Sequence, residues 1–367
     1  MKTKNLLFIS LVAGIFSFYS CSKDSSTPQL TNEQAQAEIG NVSTSYTDET
    51  TAMDNTQGMA VYNQITMLNL PFTLPTEGDF SSANYVKSFT SRLSAVKGNN
   101  FTSMQMGFNF RRDFYLQDYV GTWEYNPQTQ QFDHTPTPSN VVVIKFPYPN
   151  SSATNNAIFT ISKYTIVYNM GEYSGDYQAN LTLNGTEVWS VDYTAIATIS
   201  STSTNFTQNV TINFAPYVYT ESVILSSSFS ETSATITGNA SRTLKKNTDL
   251  LLSGTYNVSM SATKTNANFN ITGDLTILTI RFHFVMAYSG DGSTTPNIND
   301  LVKITVYNTS GAKVGEMKFV TNQDQELVLM FYFNDGTSVD ASTLFGNVLD
   351  EWTSFFGTAG DAWNFKK

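Results

Sequence analysis

Hydrophobic and polar positions along this chain follow three regimes. The first begins after residue 30 and repeats near helical spacing. Thr31-Asn32-Glu33-Gln34 fits a capping box, in which the Thr hydroxyl and the Gln side chain satisfy orphan amides. Met59, Tyr62, Ile65 and Leu68 extend the pattern until Pro71, which predicts helix over 31–70. A second stripe, Tyr85, Val86, Phe89, Leu93 and Val96, opens near Ser81 and closes at Gly98, which predicts a helix over 81–97.

From about residue 101 to 334 the period is two, as in strands whose side chains alternate between faces. Val142, Ile144, Phe146 and Tyr148 share one side. Residues 157–169 read as a long strand apolar on both faces, with Phe159, Ile161 and Val167 opposite Ile158, Tyr164, Ile166 and Tyr168. Leu181 leads through Asn184-Gly185, a strong hairpin signal, to Trp189, Val191, Tyr193 and Ala195, with Ser190, Asp192 and Thr194 outward. Further strands are expected over 210–214, 256–260, 278–286 and 302–306, with a turn at Asn308–Gly311 before Met317 and Phe319. Leu327 to Phe333 is apolar at every second position on either side, as a buried central strand should be.

The third regime is helical again over 340–356. Asp340 fits an N-cap, Val339 with Leu344 fits a hydrophobic staple, and Leu344, Phe345, Val348, Leu349, Trp352, Phe355 and Phe356 form one broad stripe. Helices at both ends around roughly ten to fourteen strands predict an α+β, mostly β fold. The expected form is a large curved antiparallel sheet with N-terminal and C-terminal helices packed on one face. No Pro/Gly-rich linker interrupts 101–340, so a single domain over 31–367 is favoured. Two β modules dividing near 200–205 or 240–250 are the alternative.

The first thirty residues speak of compartment. Lys2 and Lys4 precede an apolar run from Leu6 to Tyr19, which is shorter than the ~20 residues a membrane span needs and sits where a secretory h-region belongs. Cys21 follows, the single cysteine of the chain. Phe18-Tyr19-Ser20-Cys21 resembles a lipobox, the cleavage site of bacterial lipoprotein precursors, with Phe18 where the usual box has Leu. Cys21-Ser22-Lys23-Asp24 resembles the Bacteroidetes-type signal that directs lipoproteins to the outer face of the outer membrane. The resemblance implies a signal peptide over 1–20, a lipidated Cys21, a polar tether over 21–30, and a membrane as partner through N-terminal acyl chains. It implies nothing about the fold or activity of the rest.

Composition narrows the chemistry. Twenty Lys and Arg against thirty Asp and Glu give a net charge of −10. Such a surface repels nucleic acid. Charged residues make up 14% of the chain, so Ser, Thr, Asn and Gln must supply much of the polar surface. The N-x-S/T sequons at Asn100, Asn180, Asn205, Asn209 and Asn257 are read as a product of that composition.

Catalytic signals are few. The two histidines, His134 and His283, are too few for a zinc site without carboxylate help, and no Gly-x-Ser-x-Gly elbow or phosphate-binding Gly-Lys-Ser/Thr loop occurs. Paired carboxylates such as Glu172 with Asp176, or Glu187 with Asp192, make a glycosidase the least unlikely enzyme class. The loop from Gly290 to Asp300 carries oxygen donors of the kind calcium takes, at a spacing unlike an EF-hand, and an ordinary turn is favoured. Trp189 and Trp352 fall on core-facing stripes, and Trp363 lies past the last helix. No cofactor, metal or catalytic residue is expected. The leading expectation is a non-enzymatic surface lipoprotein holding a hydrophobic or amphipathic ligand in a sheet groove, motivated by the two-faced strands. The alternatives are a surface glycan-binding protein and a structural or adhesive envelope protein. Trp123, Tyr125, Arg281 and His283 are the candidate ligand-binding residues; a protein partner is left open.

Overall fold

The computed structural model describes residues 27–72, 74, 114–169, 171–291, 296–322 and 327–349. The expected helix over 81–97, and Trp352, Phe355, Phe356 and Trp363, lie outside the described residues.

The expected helix over 31–70 is two helices, α1 (Asn32–Asp54) and α2 (Gln57–Met67). Thr31 and Gln34 form the capping box as expected. The break comes at Asn55-Thr56. Asn55 caps the end of α1, and the Thr56 hydroxyl accepts the Met59 amide to start α2. Gly58 lets α2 lie close against β6: a Cβ at this position would come within 2.1 Å of the Val188 carbonyl oxygen. Two single-turn helices follow, α3 (Leu116–Tyr119) and α4 (Ile298–Leu301), and then α5 (Ala341–Phe345). The Asp340 carboxylate accepts the Ser342 amide at 2.8 Å, so it is the expected N-cap.

Among the described residues sixteen strands form a single open sheet. They are β1 (Gly121–Asn126), β2 (Gln131–Thr135), β3 (Val142–Phe146), β4 (Ala157–Asn169), β5 (Glu172–Leu183), β6 (Thr186–Ile199), β7 (Ser203–Phe214) and β8 (Tyr217–Phe229). The second half is β9 (Ser233–Lys246), β10 (Asp249–Thr263), β11 (Ala267–Ile277), β12 (Ile280–Gly290), β13 (Val302–Asn308), β14 (Lys313–Thr321), β15 (Leu327–Phe333) and β16 (Ser338–Asp340). From β3 to β16 each strand pairs antiparallel with its neighbour in the chain. The exception is at one edge, where β3 pairs parallel with β1 and β2 becomes the last strand. The ladder runs unbroken through both points where a division into two modules was the alternative, since β6 pairs β7 and β9 pairs β10.

Register separates two faces. One row runs Ile166, Gly175, Ala195, Gln208, Val223, Ala240, Tyr256, Gly273, Phe284, Ile304, Met317, Phe331, Val339, nearly all apolar. The next row runs Thr165, Asp176, Thr194, Asn209, Ser222, Ser241, Thr255, Asp274, His283, Thr305, Glu316, Tyr332, Ser338, and holds no aliphatic residue and no buried one. These rows define an apolar and a polar face.

Two expectations about two-faced strands change. In β4 the register shifts between Ile161 and Lys163, so Ser162 is a bulge. The extra residue moves Tyr164 and Ile166 onto the face of Phe159 and Ile161, and turns Val167 outward, where it is exposed. What reads as two apolar faces is one apolar face with a phase shift. Leu327–Phe333 is also not a central strand. β15 is the second strand from the edge, with only the three-residue β16 beyond it, and of its residues only Phe331 and Phe333 are buried.

Several helix side chains meet side chains of the sheet. The Tyr62 ring of α2 stacks on Trp189 at 4.7 Å between centroids. Phe345 of α5 meets Phe282 and Phe331 at 5.4 and 5.3 Å. Near the end of α1, the Glu49 carboxylate accepts from Tyr217 Oη at 2.7 Å and from Lys246 Nζ at 2.9 Å.

The chain before α1 is partly docked. Gln29 bridges Lys313 in parallel, the Leu30 amide donates to the Lys313 carbonyl at 2.9 Å, and the Lys313 amide donates to the Pro28 carbonyl at 2.7 Å. Asn334 Nδ2 donates to the carbonyls of both Leu30 and Lys313 at 3.0 Å. Pro28 to Leu30, expected to belong to a free tether over 21–30, are instead strapped along β14.

Candidate functional site on the polar face of the sheet

The candidate residues named from sequence fall in two places. Trp123 and Tyr125 lie on β1, beside the edge strand. Trp123 faces His134 across the ladder, and their rings stack at 4.0 Å with 13° between planes. Phe72 meets Trp123 edge-on at 5.4 Å, and Trp123 Nε1 donates to the Tyr119 carbonyl at 2.9 Å. His134 Nε2 lies 3.1 Å from the Val120 carbonyl, so that nitrogen carries the proton. One face of the indole is thus occupied by imidazole. Tyr125 similarly meets Phe132 at 5.3 Å. This pair is half-buried packing at a sheet edge rather than an open stacking platform.

Arg281 and His283 lie on the polar face of β12. His283 Nδ1 donates to Asp274 Oδ1 at 3.1 Å across the β11–β12 ladder, and Arg281 Nε lies 3.9 Å from the same oxygen. The Arg281 guanidinium also sits over the Tyr307 ring, 4.8 Å from its centroid. Asp274 and Tyr307 were missed by sequence reasoning. Their alternation is visible in the chain, but the register that brings them to Arg281 is not. On the neighbouring strands Glu316 is shared by Lys313 Nζ at 2.6 Å and Lys318 Nζ at 3.4 Å, which hold its carboxyl below the usual range. Lys318 lies over the Tyr332 ring at 5.2 Å.

The middle of the polar face is a field of short hydroxyl and amide side chains. Its row beside the polar one reads Ile196, Thr207, Ile224, Asn239, Asn257, Thr272. Ile196 is 60% exposed and Ile224 43%. They lie two strands apart, about 10 Å at usual strand spacing. Around them, the Ser222 hydroxyl donates to Asn209 Oδ1 at 2.9 Å, and Asn209, Asn239 and Asn257 are exposed. Sequence reasoning missed both isoleucines, although the signal was present: Ile196 breaks the polar parity of Ser190, Asp192 and Thr194.

A second polar cluster sits on the apolar face. Glu221 accepts from Gln208 Nε2 at 3.2 Å and from Tyr219 Oη at 2.7 Å, and Arg242 lies opposite it in register. Burial and the negative charge of Glu221 push the Tyr193 and Tyr219 phenols up, and Tyr256 up to about 12. Both carboxylate oxygens of Glu221 are engaged.

The carboxylate pairs considered for glycoside hydrolysis are not brought together. Glu172 and Asp176 are four residues apart on one strand, about 13 Å of rise, beyond the ~5–9.5 Å that the chemistry needs. Asp176 is paired with Lys163, and Glu187 accepts from Asn180 at 3.3 Å. In the loop considered for calcium, Asn297 caps α4 and Asn299 exchanges two 2.8 Å hydrogen bonds with the Phe319 backbone. Among the described residues no group of three or more His, Cys, Asp or Glu is placed to hold a metal ion. No helix among them is long and apolar enough to cross a membrane.

The chain matches no protein-family model, no curated protein and no solved structure.

Proposed function

We propose that this chain is a lipid-anchored protein of the bacterial outer cell surface that binds extracellular polysaccharide without chemistry, through the polar face of its sheet. One observation carries the reading. Two exposed isoleucines stand in a field of Thr, Ser and Asn whose side chains project from a rigid ladder. Pyranose rings present apolar C–H patches ringed by hydroxyls, and such a field offers the matching arrangement of apolar contacts and short donors and acceptors.

The helix contacts with Trp189, Tyr217, Phe282 and Phe331 support a curved sheet covered by helices on one face. That arrangement leaves the polar face for ligand. A groove for a hydrophobic ligand loses part of its motive, because the bulge at Ser162 accounts for the second apolar face of β4.

The test is affinity electrophoresis of the chain from Ser22 onward across a panel of soluble polysaccharides. Retardation by at least one glycan is expected, with the charge-neutral Ile196→Ser/Ile224→Ser abolishing it while leaving migration in a glycan-free gel unchanged. Absence of retardation throughout the panel would overturn the proposal.

A further inference from the structure

Charge is unevenly spread along the sheet. On β4–β6 the polar face carries Lys163 against Glu172, Asp176, Glu187 and Asp192. On β11–β14 the balance reverses: Arg281, Lys303, Lys313 and Lys318 stand against Asp274 and Glu316. Each of those two carboxylates is already shared by two basic side chains, Asp274 by Arg281 and His283, Glu316 by Lys313 and Lys318. Lys303 is exposed and has no ion pair among the described residues. In a chain of net charge −10 this is a surplus of two positive charges on these four strands.

The same strands hold the strap. Pro28 and Leu30 are bonded to Lys313. Arg281, Tyr307 and Lys313 form one cross-strand row, so Arg281 lies about 10 Å away, and all four cations fall within about 20 Å of the strap. Six residues separate Cys21 from Pro28, and the seven steps between them can reach at most about 25 Å. An anchor at Cys21 therefore holds this end of the domain close to the bilayer.

We infer that the basic patch of β11–β14 is a membrane-facing surface that docks on the anionic lipid headgroups of the bilayer carrying the chain's own anchor. The inference rests on the lipid-anchor reading and adds an orientation to it. Adjacent strands twist by about 20° each, so the Ile196–Ile224 field, three to eight strands from the patch, faces a different direction. Lys and Arg attract such a surface within a Debye length, which makes the docking sensitive to salt.

The test couples the chain from Cys21 to Lys367 through its single thiol to maleimide-lipid vesicles, either neutral phosphatidylcholine or containing phosphatidylglycerol. Amine labelling is then read by peptide mass spectrometry. Labelling of Lys303 and Lys318 is expected to fall several-fold on the anionic vesicles and to recover in about 1 M salt, where the screening length is about 3 Å. Lys163 and Lys245 should label equally on both. Equal labelling of Lys303 and Lys318 on the two vesicles would overturn the patch. Equivalent protection on neutral vesicles by added dextran sulfate would overturn the membrane as occupant in favour of an anionic glycan. A free thiol at Cys21 in protein from its native cell would overturn the anchor while leaving the vesicle result to stand by itself.

Discussion

Glu49 joins α1 to two strands at once, through Tyr217 on β8 and Lys246 on β9. Hydrogen bonds from Lys246 and Tyr217 hold its carboxyl below the ordinary value of 4.5. A carboxyl depressed in the folded state stabilises above its unfolded pKa and loses that stabilisation as pH falls through the folded one. The melting temperature is therefore expected to be flat from about pH 7 to 5 and to fall below pH 4.5, with Glu316, Asp335 and Asp340 contributing in the same direction. Thermal melts of Glu49→Gln should show a lower plateau at neutral pH and a shallower acid limb. An acid limb as steep as that of the unaltered chain would remove Glu49 from the account. At alkaline pH the sign reverses. Phenols raised above their model value of 10 stabilise below that value and lose the effect as pH rises toward the folded one.

The hairpin at Asn184-Gly185 shows where an element is readable from its residues. Both residues have positive φ, 51° and 80°, and the dipeptide supplies the two side chains that tolerate this. Gly185→Ala is expected to cost about 1 kcal/mol, read as a lower denaturant midpoint with unchanged slope. The hairpin joining β11 to β12 was not readable. Leu278 takes φ 52° between β11 and β12, yet Leu is a poor residue for that conformation, so Leu278 looked like the start of a strand. Position 162 was hidden for a different reason. A bulge leaves composition unchanged and shifts only parity, and Ser162 is an ordinary exposed residue. The helix break at Asn55-Thr56 was missed because Thr56 lacks a Glu or Gln three residues on, the mark that made Thr31 plain. Of the candidate site, Arg281 and His283 were found because they break an apolar alternation. Their partners Asp274 and Tyr307 depend on cross-strand register, which is set by the turns.

As a whole the molecule is a serial sheet. Nearly every strand pairs with its neighbours in the chain, so most contacts close short loops. Its two edges are guarded differently. β16 is three residues long, and β2 is five residues long and followed by Pro136 and Pro138. Hydrogen exchange should therefore proceed inward, with amides of β2 and β16 exchanging first and those of β7–β11 last. Early exchange between β6 and β7, or between β9 and β10, would mean that the ladder opens in the middle as two units.

The strap at Pro28–Leu30 also fixes where mechanical load enters. If the proposed anchor is at Cys21, a pull on it would load the contacts of Pro28 and Leu30 with Lys313 and Asn334, at the third strand from one edge. With the anchor proposed above, traction would be borne first by the hydrogen bonds that tie Pro28 and Leu30 to Lys313 and Asn334.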